Sequence, residues 1–129
     1  MKKPLNSITV LYVDDEPINL ELFKLSFRNQ FNVITARSGM EGLEILKTIQ
    51  GVDAVISDMK MPQLSGLEFI KQANRKYNSI VYFILSGYYI SDEIEKEMEN
   101  GVIKKYLHKP FNKTEILGVL QENLGLDKG

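Results

Sequence analysis

Cysteine is absent from the sequence, histidine occurs once, and there is no long apolar run. Without cysteine the chain can form no disulfide bond and perform no thiolate chemistry, which agrees with a reducing cytosol. No apolar run approaches the roughly 20 residues needed to span a bilayer. The first residues, MKKPLNS, have a basic start but lack the apolar stretch of a signal peptide. We therefore expect a cytoplasmic protein that does not bind a membrane.

A surplus of basic residues is also missing. The 129 residues include 16 Lys and Arg and 17 Asp and Glu, which gives a formal net charge of −1. Proteins that bind nucleic acids through the phosphates usually carry excess positive charge, so we expect no nucleic-acid binding. A composition of 43% hydrophobic and 26% charged residues is that of a folded globular chain, and the length suits one domain with one sizeable core.

Five short apolar segments have the length and composition of β-strands. They are Ile8–Val13, Phe31–Ala36, Val52–Ser57, Ile80–Leu85 and Ile103–Leu107. Several are apolar at consecutive positions, which is typical of strands covered on both faces, as in a parallel sheet. The second segment alternates more, and we expect it nearer an edge of the sheet.

Helix-like segments separate and follow these strands. They are Glu16–Asn29, Ser38–Ile49, a segment from Leu64 or Ser65 to Tyr77, Ser91–Asn100 and Asn112–Leu124. Ser38, Ser65 and Asn112 are predicted N-caps, because a glutamate follows each of them three residues later. A helical wheel of the first helix places five residues on one face, with Ile18, Leu20 and Leu25 on its borders. The five are Asn19, Leu22, Phe23, Ser26 and Phe27.

The alternation of strands and helices predicts an α/β fold of the (βα)5 type, in which helices cover both faces of a doubly wound parallel sheet. In such sheets the functional site lies beyond the carboxyl ends of the strands. Four strands are followed there by chemically active side chains: Asp14 and Asp15 after the first, Asp58 at the end of the third, Ser86 after the fourth and Lys109 after the fifth.

This predicted cluster of three carboxylates, a hydroxyl and an ammonium has a chemical logic. Three carboxylates repel one another unless a cation neutralises them, and a set of oxygen ligands suits a hard ion such as Mg²⁺. A carboxylate beside such an ion can attack phosphorus and form an aspartyl phosphate. Lys109 and Ser86 could then stabilise the charge of the transferred phosphoryl group.

Four sequence blocks resemble the signature blocks of response-regulator receiver domains from two-component signalling, of the chemotaxis-regulator type. They are VDDEP, SDMKMPQLSG, LSG and YLHKP, and they occur in the family's order, each at a predicted strand end. The resemblance implies a flavodoxin-like fold with sheet order 2-1-3-4-5. It implies a receiver domain over residues 8–124, with residues 1–7 as an N-terminal extension and residues 125–129 as a C-terminal tail.

The resemblance also implies roles for the site residues. Asp58 would accept the phosphoryl group. Mg²⁺ would be bound by Asp15, by Asp58 and by the backbone carbonyl of Lys60, whereas Asp14 would act mostly through bound water. Lys109 would form an ion pair with the phosphoryl group.

Further residues would carry the response to phosphorylation. Ser86 would hydrogen-bond a phosphoryl oxygen, and Tyr106 matches the aromatic residue that turns inwards when this happens. The Lys109–Pro110 peptide bond is expected to be cis. Lys60 and Tyr88 occupy positions that vary in the family and modulate the lifetime of the aspartyl phosphate.

The implied partners are a sensor histidine kinase or a phosphotransfer protein, and an output domain or downstream protein. A phosphorylation-dependent homodimer could form through the fourth helix, the fifth strand and the fifth helix. The chain would phosphorylate and dephosphorylate only its own Asp58, so it would not be an enzyme with multiple turnover.

Two other functions are open to an α/β sheet of this kind. Phosphatases that use an aspartyl phosphate usually carry a second acid two residues after the nucleophile, and here that residue is Lys60. A flavodoxin-like cofactor binder would need a phosphate-binding loop after the first strand. The DDEP segment at that place would repel phosphate unless a metal were bound.

Overall fold

A computed structural model describes residues 3–127, in which strands and helices alternate. The strands are β1 (Thr9–Val13), β2 (Asn32–Ala36), β3 (Ala54–Asp58), β4 (Val81–Ser86) and β5 (Lys105–His108). The helices are α1 (Pro17–Phe27), α2 (Gly39–Thr48), α3 (Gly66–Lys76), α4 (Asp92–Glu99) and α5 (Lys113–Leu124). A short 3-10 turn, Leu5–Ser7, precedes β1.

The strands form one parallel sheet of order β2-β1-β3-β4-β5. Strand β1 lies between β2 and β3, since Val10 pairs with Val33 of β2 and with Ala54 of β3. The strand order reverses between β1 and β3, so the carboxyl ends of these two strands meet at the predicted site. The predicted (βα)5 fold is confirmed, and so is the edge position of β2.

Helices cover both faces of the sheet, and this explains the unbroken apolar strands. Along β1, Val10 and Tyr12 face one core together with residues of α1 and α5. Leu11 and Val13 face a second core with residues of α2 and α3. Side chains of a strand point to alternate faces, so a strand buried on both faces is apolar at every position.

The predicted helix caps are confirmed by their hydrogen bonds. The side chains of Ser38, Ser65 and Asn112 accept from the backbone N–H groups three residues later, at 3.0, 3.1 and 2.9 Å. In α2 the Glu41 carboxylate accepts from the backbone N–H of Arg37, one residue before the cap, at 2.9 Å. Each cap satisfies an N–H group that has no partner within its helix.

Helix α1 is rotated relative to the face expected from the helical wheel. The core contains Leu20, Phe23 and Phe27, whereas Leu22 is 50% exposed. The two phenylalanines determine the rotation, because Phe23 stacks on Tyr12 with ring centroids 4.2 Å apart. Large aromatic rings bury more apolar area than leucine does, so their packing decides which face of the helix points inwards.

Most strands and helices begin or end one or two residues away from the predicted boundary. Val52 and Ile103 precede their strands but are 8% and 1% exposed, so their apolar character reflects buried loops and not strand. Leu126 follows α5 and is also buried, at 1% exposed. None of the helices in residues 3–127 is long and apolar enough to cross a bilayer.

Candidate functional site

Three carboxylates meet at the carboxyl ends of β1 and β3. Asp14 and Asp15 follow β1 directly, and Asp58 is the last residue of β3. One oxygen of each carboxylate lies within 4.8 Å of the others. Asp14 and Asp58 are buried, with 0% and 7% exposed. This all-oxygen set fits a hard divalent cation such as Mg²⁺.

The ammonium of Lys109 lies between two of these carboxylates. Its Nζ is 3.1 Å from Oδ2 of Asp14 and 3.2 Å from Oδ2 of Asp58. The backbone N–H of Lys109 donates to the carbonyl of Ser86 at 2.9 Å, which fixes the chain just after β5 beside the end of β4. The Lys109–Pro110 peptide bond that follows is cis.

The charges in this cluster shift one another's pKa. Burial raises the pKa of Asp58 above its ordinary value, and the Asp14 carboxylate adds to this, although Lys109 acts in the opposite direction. Burial alone would lower the pKa of Lys109, but the hydrogen bonds and negative charges of Asp14 and Asp58 outweigh it and raise that pKa. The two carboxylates therefore stabilise the protonated form of Lys109.

Asp14 receives donors that the sequence reasoning missed. The hydroxyl of Tyr12 donates to Oδ2 of Asp14 at 2.8 Å, and the side-chain amide of Asn19 donates to the same oxygen at 3.2 Å. The backbone N–H of Glu16 donates to Oδ1 at 3.0 Å. Burial and the neighbouring Asp14 carboxylate raise the pKa of Tyr12. Strand alternation could have identified Tyr12, because residues two apart on a strand share a face.

Ser86, Tyr88 and Tyr106 are connected through the loop after β4. The Ser86 hydroxyl, which is 1% exposed, accepts from the backbone N–H of Tyr88 at 3.2 Å. The Tyr106 side chain is buried, and its hydroxyl donates to the backbone carbonyl of Tyr88. His108 is exposed, and its ring contacts the Tyr106 ring edge-on, with centroids 4.9 Å apart. Both groups that hold Tyr88 bind its backbone, so they leave its side chain free to reach the site.

The mouth of the site is a cleft of about 570 Å³. Its walls are formed by Asp15, Glu16, Asp58, Lys60, Gly87, Tyr88 and Lys109. The Lys60 ammonium lies over the ring of Tyr88, 4.5 Å from its centroid, so the two side chains meet across the mouth. Such a cation–π contact restrains two side chains that would otherwise move freely in water.

The structure thus brings the sequence-predicted residues to one rim of the sheet. Asp15, Asp58 and Lys109 line an open cleft with Asp14 buried behind them, and Lys60 and Tyr88 line its edge. This arrangement could hold a cation on its acidic side and an anionic group beside Lys109.

Comparisons with known proteins agree with this geometry. A sequence model of the family described as "Response regulator receiver domain" matches residues 10–121. The hydrogenase transcriptional regulatory protein HoxA of Cupriavidus necator is 30% identical over 114 residues, which are 88% of this chain and 23% of HoxA. The sensor kinase CckA of Brucella abortus is 29% identical over 120 residues, which are 92% of this chain and 13% of CckA. The chain therefore spans less than a quarter of the length of either relative.

The solved structures lead to the same family. The crystal structure of a response regulator receiver domain protein from Clostridium thermocellum superposes with a TM-score of 0.83 at 28% identity. The match covers 92% of this chain and 94% of that chain.

Proposed function

The chain belongs to the family of response regulator receiver domains, and on that premise we propose that it receives a phosphoryl group on Asp58 from a histidine kinase or a phosphotransfer protein. The observation that carries the proposal is the position of the Lys109 ammonium, 3.2 Å from Asp58 Oδ2 and beside the acidic cluster. A carboxylate that must attack an anionic phosphoryl group needs positive charge close by, and Lys109 supplies it.

The proposed reaction is a direct transfer between a phosphohistidine and Asp58. A carboxylate oxygen of Asp58 attacks phosphorus, and the new O–P bond forms as the P–N bond to the histidine breaks. The leaving imidazole keeps the electron pair. Mg²⁺ held by Asp15, Asp58 and the backbone carbonyl of Lys60, with Asp14 acting mostly through bound water, would supply further positive charge for the phosphoryl oxygens. The ionised form of Asp58 is the nucleophile, and Lys109 favours that form against the effect of burial.

The proposed response begins at Ser86. In this structure the Ser86 hydroxyl accepts a hydrogen bond from the backbone N–H of Tyr88 at 3.2 Å. If the hydroxyl turns to a phosphoryl oxygen, this hydrogen bond is lost. Tyr106 holds the same loop through the carbonyl of Tyr88, so a shift of Tyr88 moves or releases the Tyr106 ring. This chain of contacts would link phosphorylation to the face formed by α4 and β5.

That face is the proposed surface for an output partner or a second copy of the chain. Helix α4 exposes a dense set of carboxylates, namely Asp92, Glu93, Glu95 and Glu99. The neighbouring edge strand begins with exposed Lys105, and exposed Lys104 precedes it. Carboxylates on α4 and ammonium groups at the start of β5 give two copies of the chain opposite charges that can pair across a two-fold axis, which favours a homodimer through α4, β5 and α5.

The lifetime of the aspartyl phosphate is proposed to depend on Lys60 and Tyr88. Their side chains meet over the mouth of the cleft, where an attacking water would enter. The contact supports a shared role of the two residues in limiting that entry.

Acetyl phosphate and Mg²⁺ test the acceptor directly. Intact mass spectrometry of the wild type should show the addition of one phosphoryl group, and the Asp58→Asn variant should show none. Asp92→Asn is a matched control, since it removes one exposed carboxylate from α4 outside the site. A modified Asp58→Asn protein, or an unmodified wild type, would contradict the proposed function.

A further inference from the structure

The carboxylate of Asp14 is fully buried and has four donors in residues 3–127. Three of them share its Oδ2, namely Tyr12 at 2.8 Å, Lys109 at 3.1 Å and Asn19 at 3.2 Å. The fourth, the backbone N–H of Glu16, donates to Oδ1. Because a carboxylate oxygen offers about two lone pairs, Oδ2 is saturated by protein donors and Oδ1 keeps the spare capacity.

Lys109 is the charged donor of the four, and it is shared with Asp58 at 3.2 Å. In the proposed reaction Lys109 forms an ion pair with the phosphoryl group on Asp58 and leaves Asp14. Breaking a buried ion pair from one side is costly unless the remaining charge keeps other hydrogen bonds. Asp14 therefore needs donors that stay when the ammonium leaves.

Tyr12 is placed to be the stronger of the uncharged side-chain donors. Its hydroxyl lies closer to Oδ2 than the Asn19 amide does. Its ring is 1% exposed and stacks on Phe23 with an interplanar angle of 3° and a centroid distance of 4.2 Å. A packed ring in a strand paired on both sides cannot follow Lys109, so the hydroxyl remains within reach of Asp14.

We propose that Tyr12 is a positioning residue of this site, whose hydroxyl keeps the buried Asp14 carboxylate hydrogen-bonded and in place when Lys109 turns from Asp14 to the phosphoryl group. The part that concerns phosphoryl transfer rests on the proposed function. The dependence of Asp14 on Tyr12 after the loss of the ammonium does not, and it can be measured in the metal-free protein.

A double-mutant cycle on the complete chain in EDTA measures that dependence. Tyr12→Phe removes the hydroxyl and keeps the stacked ring, and Lys109→Met removes the ammonium and keeps the apolar stem. We expect Tyr12→Phe to raise the unfolding equilibrium constant in urea. The factor of this increase should be about threefold or more larger in the Lys109→Met background than in the wild-type background. Equal effects in the two backgrounds would overturn the proposal.

Tyr82→Phe is the matched control for this cycle. Tyr82 is as buried as Tyr12, and its hydroxyl donates to the backbone carbonyl of Tyr77 at 2.8 Å, away from the site. Its effect on unfolding should be the same with lysine or methionine at position 109. If the effect of Tyr82→Phe depends on the residue at position 109 as strongly as the effect of Tyr12→Phe does, the coupling reflects a general loss of stability. That result would overturn the proposal.

Kinetics provide a second measurement, which stays informative even if Lys109→Met does not fold. At saturating Mg²⁺, the rate constant for phosphorylation by acetyl phosphate should fall about tenfold in Tyr12→Phe, while the Mg²⁺ dissociation constant changes less than about threefold. A parallel loss in both quantities, or in neither, would contradict a role tied to the movement of Lys109. A wild type that is never phosphorylated would refute the proposed function and leave the result in EDTA standing.

Discussion

Gly66 lies directly against the backbone of Asp58, so that an added Cβ at Gly66 would come within 2.1 Å of the Asp58 carbonyl oxygen. The backbone N–H of Gly66 donates to the carbonyl of Met59 at 2.8 Å. The first residue of α3 is therefore packed on the last residue of β3 with no side chain between them. The acceptor residue of the proposed reaction is held in place by a glycine that has no chemical role.

Gly66→Ala should lower the free energy of unfolding by about 2 kcal/mol, because backbone atoms cannot move aside as a flexible side chain would. Urea unfolding measures this loss. Gly118→Ala is the matched control, since it lies in α5 with nothing within 4 Å of the added Cβ. It should leave stability unchanged or raise it by up to about 1 kcal/mol. Equal stabilities of the two variants would contradict the packing described here.

Asp58→Asn should stabilise the metal-free protein at pH 7. Burial and the Asp14 charge raise the pKa of Asp58 in the folded state, so the fold favours the protonated carboxyl. The resulting stabilisation is complete below the unfolded-state pKa and is lost as the pH rises through the folded-state pKa. The advantage of Asp58→Asn over the wild type should therefore shrink as the pH falls. Urea unfolding in EDTA over a pH series measures the difference.

Mg²⁺ should reverse the order of stability between these two proteins. A ligand present at a hundred times its dissociation constant stabilises the folded state by about 2.7 kcal/mol, and the wild type should gain this amount. Asp58→Asn has lost one carboxylate ligand and should gain much less. Glu44→Gln, on the exposed side of α2, is the control and should respond as the wild type does. If Mg²⁺ stabilised Asp58→Asn as much as the wild type, Asp58 would not be a ligand of the metal.

The sequence predicted most of the fold because its local signals agree with one another. Apolar runs mark strands buried on both faces, and polar caps followed by glutamate mark helix starts such as Ser38 and Ser65. The rotation of α1 could not be read in the same way. A helical wheel treats Leu22 and Phe23 as equal, whereas packing on Tyr12 favours the larger ring. By periodicity alone the two faces of α1 are almost equally apolar, and tertiary packing determines which of them is buried.

The sequence predicted which residues of the candidate site lie close together, but not the hydrogen bonds and packing contacts that hold them in place. Parallel strands bring their carboxyl ends together, and this placed Asp58 beside the residues after β1. The hydrogen bond from Tyr12 to Asp14 is 2.8 Å long, and a Cβ at Gly66 has no room beside the Asp58 backbone. Such contacts follow from the exact path of the backbone, which motifs and spacing do not specify.

Reversing two charges beside β5 should weaken the proposed phosphorylation-dependent homodimer. Lys104 and Lys105 are exposed at the start of β5, and the carboxylates that would pair with them in a second copy are exposed on α4. The double variant Lys104→Glu, Lys105→Glu should raise the dimer dissociation constant about tenfold in beryllofluoride and Mg²⁺, since each exposed ion pair contributes up to about 1 kcal/mol. Sedimentation velocity measures the change, and added salt should weaken the wild-type dimer. Lys47→Glu, on α2, should not alter dimerisation, and a similar loss there would point to net charge and not to this face.

Removing the contact between Lys60 and Tyr88 should shorten the lifetime of the aspartyl phosphate. The ammonium lies 4.5 Å from the ring centroid, across the mouth of the cleft. A cation–π contact at an exposed site is worth about 0.5–1 kcal/mol, so its loss should speed hydrolysis about two- to fivefold. The decay is measured by intact mass after removal of acetyl phosphate. Tyr88→Ala keeps the backbone carbonyl to which Tyr106 donates, so the change is confined to the ring.

The two single variants and the double variant Lys60→Ala, Tyr88→Ala distinguish a shared contact from two separate effects. Either single change abolishes the contact, so the double variant should decay about as fast as each single variant does. Tyr89→Ala removes a neighbouring ring that is 97% exposed, and it should leave the lifetime unchanged. If the effects of the single variants simply multiply in the double variant, the residues act independently. If all four variants decay at the wild-type rate, the mouth of the cleft does not control the access of water to the phosphoryl group.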